Sequence, residues 1–78
     1  MSHQVIIVDY SFHGTITCFI KIQGFDAENN IPFEGVIRMV DGVPYGDLIR
    51  EGTSNLSKES IRYVKLYLEK KYIEGYFS

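Results

Sequence analysis

At 78 residues the chain has room for about one small domain, near the lower size limit for folding on a hydrophobic core alone. Its 45 % hydrophobic and 23 % charged residues match globular rather than disordered composition, and a net charge of -2 excludes bulk attraction to nucleic acid, leaving only a local basic surface for that role. The lone Cys18 excludes an intrachain disulfide and a multi-cysteine zinc site, and fits a cytoplasmic protein with a buried thiol.

The N-terminus, Met1 to Gln4, carries no basic segment, and the apolar run Val5 to Val8 is too short for a signal-peptide core or a membrane span. Neither secretion nor membrane insertion is expected. Asn55-Leu56-Ser57 matches the glycosylation sequon and is read as a chance match beside a helix cap. No repeat or linker divides residues 1–78, which are read as a single small globular domain.

Val5 to Tyr10 is β-branched and apolar on both faces, which predicts a strand in the centre of a sheet. Ser11 to Gly14 reads as the turn that follows. Thr15 to Gln23 alternates cleanly: Ile16, Cys18, Ile20 and Ile22 form a core face, and only Phe19 interrupts the polar face opposite. Asp26 to Asn30 is a polar loop. Phe33 to Val40 is the third strand, with Phe33, Gly35, Ile37 and Met39 on one face; Glu34 and Arg38 share the other with Val36 and Val40.

Asp41-Gly42 is a type I′ turn signal. Beyond it two readings compete. Val43 onward can return as a short edge strand, edge because of Pro44. The reading adopted places Pro44 at the start of a helical turn that runs through Leu48 and Ile49 and stops at Gly52. Residues 58–73 then read as a helix with Ser57 as N-cap, Glu59 in the first turn, Lys70 and Lys71 in the last, and Gly75 as terminator. Ile61, Val64, Leu68 and Tyr72 make its apolar stripe, with Tyr67 at the flank. The expected fold is therefore α+β: a three- or four-stranded antiparallel sheet packed against one C-terminal helix.

Candidate chemistry is sparse. Cys18, between isoleucines, reads as a core filler rather than a nucleophile. His13 reads as an exposed turn residue and His3 as a terminal, mobile one. Asp9, His3 and His13 have no spacing that forces them together on a metal. Asp41, Asp47 and Glu51 read as solvated turn carboxylates, and Gly42 and Gly46 lack the Gly-Lys-Ser/Thr ending of a phosphate loop. No catalytic residue, cofactor or metal site is assigned, and an enzyme is not the expected function.

What remains is surface. Tyr63, Leu66 and Ile73 fall outside the helix's main stripe, and Arg62 and Lys70 lie beside them; Tyr45 sits in a constrained turn with an apolar ring and a hydroxyl. Residues 1–57 carry three basic and seven acidic side chains, residues 58–78 five basic and three acidic, so the helix is the positive part of the molecule. These six residues are the predicted binding set of a small regulatory or inhibitory protein that binds another protein, with a homodimer expected over a monomer. The alternatives are a nucleic-acid module that uses Lys58, Arg62 and Lys65 on phosphates, which Glu69 interrupts, and an enzyme with an intersubunit site.

Overall fold

The structure, a computed structural model, describes residues 3–77. Four strands form an antiparallel meander in the order β1-β2-β3-β4: β1 Gln4–His13, β2 Thr17–Asp26, β3 Ile31–Val40 and β4 Val43–Tyr45. A 3₁₀ turn, Asp47–Ile49, leads to an α-helix, α1, Lys58–Ile73. This is an α+β fold, one sheet with one helix on one of its faces.

The alternation in β2 sets the two faces. Cys18, Ile20 and Ile22 point inward and are buried with Ile37 and Met39 of β3, against Ile61, Val64 and Leu68 of α1. Tyr67 and Tyr72 pack at the margin as the helical spacing predicts, and Phe77 folds back to close the end of the core. Burying a Leu or Ile side chain stabilises the folded state by about 1.5–3 kcal/mol. This one layer of aliphatic contact therefore carries most of the domain.

Turn chemistry follows the sequence closely. Asp41 (φ 51°) and Gly42 (φ 85°) both take the left-handed conformation that a type I′ hairpin demands, and the Tyr72 ring packs on Gly42. Ser57 caps α1: its hydroxyl accepts from the Ser60 amide at 3.1 Å. At the other end Gly75 (φ 79°) turns the chain, with its amide bonded to the Tyr72 carbonyl and that of Tyr76 to Lys71.

Five expectations are corrected. β1 is an edge strand, not a central one: its apolar run is half covered by the helix layer and otherwise open, so two-faced hydrophobicity here did not mean two-sided pairing. β1 continues through Ser11 to His13, so the turn lies at Gly14 to Ile16. Ile16 consequently sits in that turn and is 52 % exposed, outside the core face assigned to it. Pro44 belongs to β4 and the helical turn begins only at Asp47, because Pro44 opposite Met39 completes the inner face of an edge strand. His3 is anchored rather than loose: its Nδ1 accepts the Ala27 amide at 3.1 Å and its ring lies 5.8 Å from that of Tyr63.

Asp26 joins the sheet to the helix. It is fully buried at the end of β2 and accepts from the Ser57 amide (2.7 Å), the Ser57 hydroxyl (2.9 Å), and the amides of Glu28 (3.0 Å) and Asn29 (3.2 Å). Burial by itself would push the carboxyl up; the bonds from Ser57, Asn29 and Glu28 outweigh it and hold Asp26 below the ordinary carboxylate value. One carboxylate thus fixes the β2–β3 turn and the N-cap of α1 together.

Candidate functional site

The helix covers only the inner face of the sheet. On the outer face the strand register builds a grid of side chains. Across β2, β3 and β4 one row runs Phe19, Arg38, Tyr45; the next sets Lys21 opposite Val36, and the one before sets Thr17, Val40 and Val43 side by side. A β-bulge between Ile7 and Asp9 shifts the pairing of β1 by one residue, which brings Val8 and Asp9 together to this face beside Lys21.

An antiparallel sheet with one face in water normally presents polar side chains there. This one presents Ile6, Val8, Phe19, Val36, Val43 and Tyr45, each more than a third exposed. Two local contacts order the patch. The His13 ring meets Phe19 edge-on at 4.8 Å, and the Arg38 guanidinium lies 5.7 Å from the centre of the Tyr45 ring. A shallow depression lined by Phe19, Val36, Arg38, Tyr45, Asp47 and Arg50 runs along the β4 side.

Charge on this face is balanced. Lys21, Arg38 and Arg50 are matched by Asp9, Glu34 and Asp47; Asp9 stands opposite Lys21, and Asp47 lies 3.9 Å from Arg50. A surface of this kind suits a protein partner with mixed polarity better than a run of phosphates, which needs a surplus of cations.

The six predicted binding residues do not converge. Arg62, Tyr63, Leu66, Lys70 and Ile73 lie on α1, all exposed, with Ile73 at 83 % and Leu66 at 59 %. Leu66 and Ile73 point almost directly away from the core, two turns apart, among Arg62, Glu69 and Lys70. Tyr63 lies toward β1, against His3. Tyr45 is on the other side of the sheet altogether, so no single partner surface of ordinary size spans it and the helix group.

The basic trio Lys58, Arg62 and Lys65 does share one depression, but with Glu51, Glu69 and Leu66 between and around them. Cys18 is buried, its Sγ 3.9 Å from the Phe19 carbonyl oxygen, and burial pushes the thiol up, away from thiolate chemistry. His13 is exposed; Asp41, Asp47 and Glu51 are exposed and separate. Among the described residues no group of three or more His, Cys, Asp or Glu side chains is placed to hold a metal ion. Nor, among them, is any helix long and apolar enough to cross a membrane.

Sequence reading flagged Phe19 and Tyr45 singly and missed that Arg38 and Val36 join them. The signal was present: Phe19, Val36 and Val40 all occupy polar-face positions of their strands. What the pattern lacked was the register that sets them side by side. No protein-family model, curated protein or solved structure matches this chain, so its surface chemistry alone carries a functional reading.

Proposed function

We propose that this chain is a small regulatory protein that acts by binding another protein, and that the uncovered face of the sheet is its recognition surface. One observation carries the reading: an apolar and aromatic cluster (Phe19, Val36, Tyr45) on a face that the fold leaves open, held in a fixed grid by three paired strands. Rigid aromatics bury large areas at low entropic cost, which is what the centre of an interface needs. Arg38, propped on Tyr45, supplies a directed cation for a carboxylate of the partner. The partner is thus a protein surface with an apolar centre and an acidic residue at its rim. Binding acts sterically, by covering that surface.

The helix residues Tyr63 and Leu66 are the competing location. Single hydrophobes among charges are ordinary on protein surfaces, whereas a contiguous patch on a sheet is not. Affinity capture from native extract, with and without nuclease, compares three baits: wild type, Phe19→Ala/Tyr45→Ala, and Tyr63→Ala/Leu66→Ala. The sheet-face variant is expected to lose a nuclease-resistant protein partner, and in purified binding to lose about 2 kcal/mol or more, a factor of about 30. Full affinity in the folded sheet-face variant, with loss in the helix variant, would move the site to α1. Capture that disappears on nuclease treatment would replace the protein partner with nucleic acid.

A further inference from the structure

The two edges of the sheet are built differently. β4 is three residues long, contains Pro44, and is followed at once by the 3₁₀ turn, so it offers little ladder to a new strand. β1 is ten residues long and, among the described residues, its outer edge is not paired with any strand. From Gln4 to Val8 it contains no proline, no glycine and no charge. Ile6 is 58 % and Val8 47 % exposed there. A backbone edge of this kind is a template for another strand.

We infer that β1 is the contact through which two copies of this chain associate, pairing antiparallel across a two-fold axis at Ile6 to make one eight-stranded sheet. Three features select a second copy. A two-fold axis sets the central residue against its own copy, where a charge would meet a like charge; Ile6 is apolar, and Gln4 to Val8 carries no charge. An axis perpendicular to the sheet keeps faces matched, so inward Val5 meets inward Ile7 of the copy while outward Gln4 and Ile6 meet outward Val8 and Ile6. The register is also bounded. A shift one way sets Ile6 against Gln4, and a shift the other way carries the pairing past the bulge at Val8 to the charged Asp9.

The same axis puts both helices on one face of the joined sheet. Tyr63, already beside His3 at the start of β1, then lies along the seam and adds aromatic area to the strand contact. A five-residue ladder spans about 17 Å. That places the interface at the small, reversible end of the range, and the dimer is concentration-dependent. The joined sheet carries two copies of the open Phe19/Tyr45 face side by side. The dimer itself does not depend on what that face binds.

Sedimentation equilibrium of the full chain, over a concentration series from low micromolar to near millimolar, tests this. The expected mass rises from 9.0 kDa toward twice that value. Ile6→Lys sets two like charges together at the axis; since Ile6 is exposed, the monomer should keep its circular dichroism and melting curve while the dissociation constant rises at least ten-fold. Leu66→Lys, on the helix face, is expected to leave the dissociation constant unchanged. Amide exchange supplies a second readout, with edge amides between Gln4 and Val8 slowing as concentration rises. A wild type that stays at 9.0 kDa throughout overturns the inference. So does a dimer that Ile6→Lys leaves intact or that Leu66→Lys dissociates, and so do edge amides whose exchange is indifferent to concentration.

Discussion

The two faces of the sheet are made from the same strands and both carry large apolar side chains, yet only one of them is covered. Inward, Ile20, Ile22, Ile37 and Met39 are wholly removed from water against Val64 and Leu68. Outward, Phe19, Val36, Val43 and Tyr45 are as apolar by type but have no layer over them. Hydrophobic side chains on the first face hold the fold; those on the second stay open to solvent and form the proposed recognition surface. A substitution series across both faces separates the two roles, because stability should follow the inner face and binding the outer one.

The largest effect belongs to the middle of the inner face. Leu68→Ala leaves a cavity under the sheet and is expected to lower unfolding free energy by about 2–5 kcal/mol in urea titrations. A domain of this length holds roughly 4–12 kcal/mol in all, so the variant is expected to be partly unfolded at 37 °C.

Asp26→Ala comes next. It strips partners from the Ser57 amide and hydroxyl and from the amides of Glu28 and Asn29, for an expected loss of about 2–3 kcal/mol. The same group gives the fold an acid limit. Its folded pKa lies below the unfolded value of about 3.9, so its stabilisation is complete above that value and disappears as pH falls through the lower, folded one. Thermal melts below pH 4 should show this loss, and Asp26→Asn should flatten that part of the profile.

Cys18→Ala tests whether the thiol is anything more than packing. A loss of about 1 kcal/mol with binding intact is expected; intact stability with abolished binding would contradict a structural role. Ser60→Ala should go the other way. The Ser60 hydroxyl is buried and has no hydrogen-bond partner among the described residues. Removing it and placing alanine in the helix should raise stability by about 0.5–1 kcal/mol, read as an increase in Tm.

The smallest stability change is expected on the outer face, and it sharpens the contrast most. Val36→Thr keeps the branched shape and should shift unfolding by no more than about 0.5 kcal/mol. If the proposed recognition surface is right, the same variant weakens partner binding. A large destabilisation by Val36→Thr would mean that the outer face is part of the core economy after all.

Much of this architecture was legible before any coordinates. The period of two in β2 identified Cys18, Ile20 and Ile22 as core, and the 3.6 period of residues 58–73 identified Ile61, Val64 and Leu68. Asp41-Gly42 and Ser57 announced their turn and cap by chemistry that acts within a few residues. Errors arose where local signals were complete but ambiguous. Pro44 is compatible with both an edge strand and a helix start, and Val5 to Val8 with both a central strand and an edge strand.

Residue type and spacing by themselves determined β2, β3, the C-terminal helix, the inward residues Cys18, Ile20, Ile22, Ile61, Val64 and Leu68, and the α+β class, because these depend on steric and hydrophobic preferences between near neighbours in the chain. Tertiary structure alone decided three further matters. It put β1 at the edge, since strand order depends on which distant segments pair. It gave Asp26 its Ser57 partner 31 residues away, since neither residue's immediate surroundings encode the other. And it set Phe19, Arg38 and Tyr45 in one row while sending α1 to the opposite face, since an outward position becomes a surface patch only when inter-strand register brings its neighbours alongside.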